Sequence, residues 1–139
     1  SIDLLSEVNG KLIYRAEKYG KFFIVYDNKE IGTKYESPLH FTMINGKLAY
    51  TAPIGNKYFI VYDDQELGKE YDWVEYPTNI NGTLAYQAKD DEKYFIVYDG
   101  KEIGKEYDSA KYPVYINGKL AYLAKDKEKY FIVYVDLIS

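Results

Sequence analysis

The sequence predicts an all-β protein built from four tandem copies of one unit of 36 residues. An Asn-Gly pair recurs at that interval, at residues 9–10, 45–46, 81–82 and 117–118. A Phe-Ile-Val-Tyr segment recurs with the same spacing and begins at Phe23, Phe59, Phe95 and Phe131. No insertion or deletion separates the copies, and none contains the capped amphipathic pattern of a helix.

Each unit divides into four short extended segments. Read cyclically from the third copy, they are residues 111–116, 84–88, 94–99 and 102–108. Asn-Gly joins the first segment to the second and Asp99-Gly100 joins the third to the fourth, and both pairs are strong hairpin signals. Four strands in about 36 residues suit one blade of a β-propeller. We therefore expect a single domain of four four-stranded antiparallel blades, at approximately residues 1–36, 37–72, 73–108 and 109–139.

The strands of a unit differ in the way that stacked blades require. Residues 58–62 are apolar on both faces, so this strand should be covered on both sides. Residues 66–71 alternate charged with apolar side chains, as expected of an outer strand whose charges discourage edge-to-edge pairing. Gly68 in this strand marks a bulge or a twist.

The arrangement of the blades is left open by the last unit. Val135 stands where the other copies have a turn Asp, and residues 136–139 are too few for a full outer strand. The chain could close as a four-bladed ring, or form half of an eight-bladed ring as a homodimer. It could also belong to a longer array.

Residues 112–124, Tyr-Pro-Val-Tyr-Ile-Asn-Gly-Lys-Leu-Ala-Tyr-Leu-Ala, resemble the WD40-like propeller repeat of bacterial and archaeal proteins. That repeat has an aromatic-rich first strand, an Asp-Gly-Lys or Asn-Gly-Lys turn and a Leu-Ala-Tyr strand. Residues 94–107 resemble the strand-turn-strand that follows in some of those repeats. Two features depart from the family: the first turn is shorter than Ser-Pro-Asp-Gly, and four blades are few for a propeller. The resemblance implies the fold and a binding or scaffolding role, and no particular chemistry.

Composition narrows the classes of partner. The net charge is -4 and basic residues are scattered among acidic ones, which argues against nucleic acid. Cysteine is absent, so disulfides and thiolate zinc sites are excluded. No apolar run approaches the roughly 20 residues that cross a bilayer, so we expect no membrane partner. The compartment is not predicted.

The sequence predicts no enzyme, no catalytic residue, no metal and no cofactor. His40 is the only histidine, and it stands where other copies have Tyr76 and Tyr112. The first interpretation is therefore another aromatic residue of the first strand, and the second is a catalytic or ligand-binding group. The recurring acidic residues are explained by their turns. Residues 89–92, Lys-Asp-Asp-Glu, lack the alternating spacing of a calcium loop.

Sequence variation is concentrated in two kinds of segment. One joins the second strand to the third, at residues 17–20, 53–56, 89–92 and 125–128; the other joins successive units, at residues 36–38, 72–75 and 108–111. Antiparallel geometry predicts that both lie as loops on the rim opposite the constant turns. Trp73, the only tryptophan, is either an exposed anchor there or a plug between two blades. The candidate ligand-binding residues are His40, Trp73, Tyr76 and Tyr112.

The leading functional prediction is a non-enzymatic binding or scaffold module that engages a protein or peptide through this variable rim. Carbohydrate binding is the alternative favoured by the abundance of tyrosine. A third reading is an accessory propeller that gates a catalytic domain. A fourth is an engineered or evolutionary repeat protein without a selected ligand, because residues 81–98 and 117–134 differ at only three positions.

Overall fold

The computed structural model describes residues 2–32, 38–75 and 77–137. These residues form sixteen β-strands and no helix, which confirms the all-β prediction. The strands make four antiparallel sheets, named A to D in chain order. Within the described ranges, no helix is long and apolar enough to cross a membrane.

Each sheet is formed by one stretch of the chain. Sheet A comprises β1 (Ile2–Val8), β2 (Lys11–Lys18), β3 (Lys21–Tyr26) and β4 (Lys29–Ile31). Sheet B comprises β5 (Phe41–Ile44), β6 (Lys47–Ile54), β7 (Lys57–Tyr62) and β8 (Gln65–Tyr71). Sheet C comprises β9 (Trp73–Val74), β10 (Thr78–Ile80), β11 (Thr83–Asp90), β12 (Lys93–Tyr98) and β13 (Lys101–Tyr107). Sheet D comprises β14 (Ser109–Ile116), β15 (Lys119–Asp126) and β16 (Lys129–Asp136).

The prediction of four strands in every sheet is met in sheets A and B and is wrong for the other two. In sheet C the first strand is divided into β9 and β10, and both segments pair with β11. Among the described residues, sheet D has three strands, with β15 paired on both sides.

The segments between second and third strands were predicted to be four-residue loops, and that prediction is wrong. They are two-residue turns, as at Asp91 and Glu92, whose φ angles are 50° and 67°. The residues on either side continue the ladder, since Asp90 pairs with Lys93. Asn81-Gly82 is a similar turn with φ angles of 52° and 82°, as Asn-Gly predicts. Tight turns therefore occupy both rims.

The connections between units were also predicted to be loops, and the structure corrects this at two of them. Residues 73–74 form β9 and residues 109–111 belong to β14, because their backbones pair with the second strand of the same sheet. Residues 36 and 37 of the remaining connection lie outside the described ranges.

The sheets stack in chain order, and each of three hydrophobic clusters joins consecutive sheets. We call the face toward the next sheet forward and the face toward the preceding sheet backward. In β7, Phe59 and Val61 pack backward on sheet A, whereas Ile60 packs forward on sheet C. All three side chains are buried, with Phe59 only 2% exposed, so the strand is covered on both sides as predicted.

A glycine in the outer strand makes room for a tyrosine of the next sheet. Gly68 has a φ of 77° beside a shift in the register of β7 and β8, which confirms the predicted bulge. The Tyr86 hydroxyl lies 2.8 Å from where a Cβ of residue 68 would be, and it donates to the Leu67 carbonyl at 3.4 Å. Gly104 and Tyr122 repeat this contact between sheets C and D.

A clasp also recurs between consecutive sheets. Asp72, after β8, accepts from the Lys57 ammonium of its own sheet and from the Asp91 backbone N–H of the next sheet, the latter at 3.0 Å. Asp108 does the same with Lys93 and with the Lys127 N–H. The Lys57 ammonium is the main reason that the pKa of Asp72 lies below its usual value, and the Asp91 N–H adds to the effect. Each clasp thus ties a tight turn to the preceding sheet.

The clasp gives the stability of the protein a defined dependence on pH. Because the pKa of Asp72 is lowered in the folded chain, its stabilising effect is present above the unfolded pKa of about 3.9 and is lost as pH falls through the folded value. Asp72→Asn should therefore flatten the acid limb of the unfolding free energy, measured by urea titration at a series of pH values. Asp108→Asn, which removes the equivalent clasp between sheets C and D, should flatten the same limb.

Candidate functional site

The first strands of sheets A and D are each irregular at one position, which the sequence analysis had marked in sheet D through Tyr112. The pairing of β14 with β15 shifts between Lys111 and Val114, and Tyr112 has a φ of 61°. Sheet A has the same irregularity at Leu4, whose φ is 55°. A β-bulge of this kind redirects a side chain and leaves backbone groups unpaired along the strand. We call the first-strand edge at these positions the bulge edge.

A groove opens at the bulge edge between sheets C and D. Its volume is about 500 Å³, within the range of small-molecule and peptide pockets. Its lining residues carry charges of both signs, an amide and an aromatic ring: Glu75, Thr78, Gln87, Lys111, Tyr112 and Pro113.

Tyr112 is the most exposed of the described candidate residues, with 65% of its surface accessible. Its backbone N–H donates to Gln87 Oε1 at 3.4 Å, so the bulge of sheet D is tied to sheet C. The Lys111 ammonium lies 5.1 Å from the centre of the Tyr112 ring, close enough for a cation–π contact. The ring is thus held at the mouth of the groove with its surface available.

Trp73 lies half-buried at the junction of sheets B and C. Its ring meets Tyr58 of sheet B edge to face, with 4.9 Å between ring centres. The indole N–H donates to Glu75 Oε1 at 2.8 Å. These contacts are those of a side chain that fills the gap between two sheets, and Trp73 reaches the groove through Glu75.

His40 is partly buried, and the charge of the same carboxylate acts on it. Burial lowers the pKa of His40 and the Arg15 charge acts in the same direction, whereas the Glu75 charge raises it. Glu75 is therefore the common neighbour of the described candidates: it bonds Trp73, influences His40 and lines the groove with Tyr112. Tyr76 lies outside the described residues.

Sequence reasoning missed Glu75 and Gln87 as members of the site. Glu75 was assigned only to a connection between units. Gln87 was one of three differences between near-identical copies, and that difference was the available signal. The corresponding position is Arg15 in sheet A, where Nη1 donates to the Leu39 carbonyl of sheet B at 2.8 Å. This second-strand position carries a different residue in each sheet: Arg15, Thr51, Gln87 and Leu123. In sheets A and C, its side chain bonds a backbone group in or beside the first strand of the next sheet.

No protein-family model matches the chain, and no curated protein matches it significantly. The resemblance to WD40-like repeats therefore stays a prediction. Among the described residues, no group of three or more His, Asp or Glu side chains is placed to hold a metal ion.

Proposed function

We propose that the four sheets are successive blades of a propeller and that the chain is a non-enzymatic module binding a peptide or protein segment at the bulge edge. The observation that supports this best is the groove between sheets C and D, where an exposed Tyr112 stands beside polar walls. The rims carry two-residue turns instead of the expected loops, so the proposal moves from the rim to the groove.

The lining of the groove suits an extended peptide. Glu75 and Lys111 can pair with the positive and negative side chains of a peptide. Tyr112 offers a large contact area at low entropic cost. A positive φ at a tyrosine costs free energy, and such strain is concentrated at functional sites. The bulge also belongs to a paired strand, which keeps the ring in place without a ligand.

A carbohydrate is the second candidate ligand, because an exposed ring beside a carboxylate and an amide is also suited to sugars. Peptides remain the first choice because the described part of the groove has one aromatic platform, whereas the lysine and glutamate pair suits charged side chains. Peptide and glycan arrays probed in parallel separate the two ligand classes.

The binding of any ligand found with these arrays should depend on Tyr112. We expect Tyr112→Ala to weaken its binding about tenfold or more, as for other central aromatic contacts, measured by calorimetry. Tyr19→Ala is the control, since Tyr19 is 92% exposed on a distant turn, and it should leave the affinity unchanged. Binding that survives Tyr112→Ala but is lost with Tyr19→Ala would place the site elsewhere.

A further inference from the structure

The forward face of sheet D is apolar and uncovered. Ile116 and Ile132 are 47% and 53% exposed, whereas the equivalent Ile80 and Ile96 of sheet C are buried under sheet D. Tyr130 and Tyr134 extend the same exposed face. Because residues 81–98 and 117–134 are nearly identical, this face has the chemistry of the one that sheet C presents to sheet D. It is therefore built to receive the backward face of another sheet of this repeat.

Sheet A presents the complementary surface. Leu12 is 56% exposed on its backward face, whereas the equivalent Leu84 and Leu120 are buried against the preceding sheet. Ile2 is likewise exposed where Val74 and Ala110 are buried. The molecule thus has one uncovered forward face and one uncovered backward face, and apolar areas of this kind mark interaction sites.

The forward face of sheet D also differs from the internal forward faces at one position, where the internal junctions are polar. There, Arg15 donates to the Leu39 carbonyl and Gln87 accepts from the Tyr112 N–H. Sheet D carries Leu123 at this position, among the apolar residues of its exposed forward face. The uncovered face of sheet D is therefore apolar where the internal faces are polar.

One internal hydrogen bond can be preserved at such a junction. Asn45 Nδ2 donates to the Gly82 carbonyl at 2.8 Å, which links the constant turns of sheets B and C. Asn117 in sheet D and Gly10 in sheet A occupy the equivalent positions. A contact between the two end faces can therefore keep the turn-to-turn bond.

We propose that the forward face of sheet D binds the backward face of sheet A in a second copy of this chain, so that chains stack head to tail. The chain's own sheet A leaves the face of sheet D exposed, and a forward-to-forward contact would not reproduce any internal junction. The proposal rests on the stacking of the sheets and is independent of the ligand. Among the described residues, sheet D has three strands and contributes neither a clasp nor an outer-strand glycine to this junction. Association between two copies should therefore depend on concentration.

The mass in solution tests the proposal first. We expect light scattering after size exclusion to give the 16.2-kDa chain at low concentration and twice that mass or more at high concentration. Ile132→Lys and Leu12→Lys should each raise the dissociation constant at least tenfold, and circular dichroism should show that both stay folded. Ile54→Lys, at an exposed site in sheet B, is the control and should associate normally. A constant monomer mass for the wild-type chain would overturn the proposal.

Mixing the two variants tests the direction of stacking. Each keeps one intact face, so an equimolar mixture should form a heterodimer at concentrations where each variant alone stays monomeric. Self-association of Ile132→Lys would show that two sheets A meet, and self-association of Leu12→Lys would show that two sheets D meet. Either result overturns the head-to-tail arrangement.

A disulfide distinguishes a second copy from closure within one chain. The chain has no cysteine, so Leu12→Cys/Ile132→Cys contains a single pair of thiols, at positions whose equivalents, Leu120 and Ile96, pack in one cluster between sheets C and D. Mild oxidation at a concentration where the wild type associates should give disulfide-linked multiples of the chain on a non-reducing gel. An intrachain disulfide, or none, would overturn the proposal.

Discussion

Phe59→Ala is expected to lower the free energy of unfolding by about 3–5 kcal/mol, the usual cost of deleting a large buried aromatic side chain. Phe59 is 2% exposed and packs in the cluster that joins sheets A and B. Its loss leaves a cavity that Ile13 and Ile24 cannot fill without moving their own strands. Urea titration with two spectroscopic probes measures the change, and a value under about 1 kcal/mol would contradict the double covering of β7.

The matched control for this substitution lies in sheet A. Phe23 occupies the equivalent position on the backward face, which is uncovered in the single chain, and it is only partly buried. Phe23→Ala should therefore cost clearly less than Phe59→Ala at a concentration where the chain is monomeric. Equal costs would mean that sheet A is covered in the monomer, and the open stack would be wrong.

Gly68→Ala is expected to cost about 2–4 kcal/mol, from two sources that can be separated. A positive φ of 77° costs an alanine roughly 1–2 kcal/mol. The new Cβ would also lie 2.8 Å from the Tyr86 hydroxyl, and that ring is fully buried, so it has little room to withdraw. The total should appear as a shift in the urea midpoint without a change in slope.

Gly46→Ala isolates the backbone contribution. Gly46 has a φ of 75° and nothing lies within 4 Å of its Cβ position, so this variant should lose only the conformational part. Adding Tyr86→Phe to Gly68→Ala should recover part of the difference, because it removes the hydroxyl that the alanine meets. A double-mutant cycle measures this coupling, and additive effects of the two substitutions would exclude the contact.

The candidate site shows where sequence reasoning ends. The repeat aligned His40, Tyr76 and Tyr112 at one position, and the structure places that position at the bulge edge in sheet D. It did not predict that the carboxylate that bonds Trp73 would also act on His40, because His40 belongs to the preceding unit. Sequence spacing within one unit carries no information on such contacts.

Interactions within short segments account for what the sequence predicted, and contacts between units account for what it did not. The sequence alone determined the all-β class, the positions of the strands and the Asn-Gly turns, because strand alternation and positive φ are properties of short segments. The connection at residues 89–92 was predicted but its length was wrong, because Lys89 and Asp90 pair with the next strand and only Asp91 and Glu92 turn. Only the tertiary structure decided that Asp72 clasps the next sheet, that Gly68 accommodates Tyr86 and that the faces of sheets A and D stay open. Each of these depends on how one repeat packs against its neighbour, and identical local sequences leave that packing undetermined.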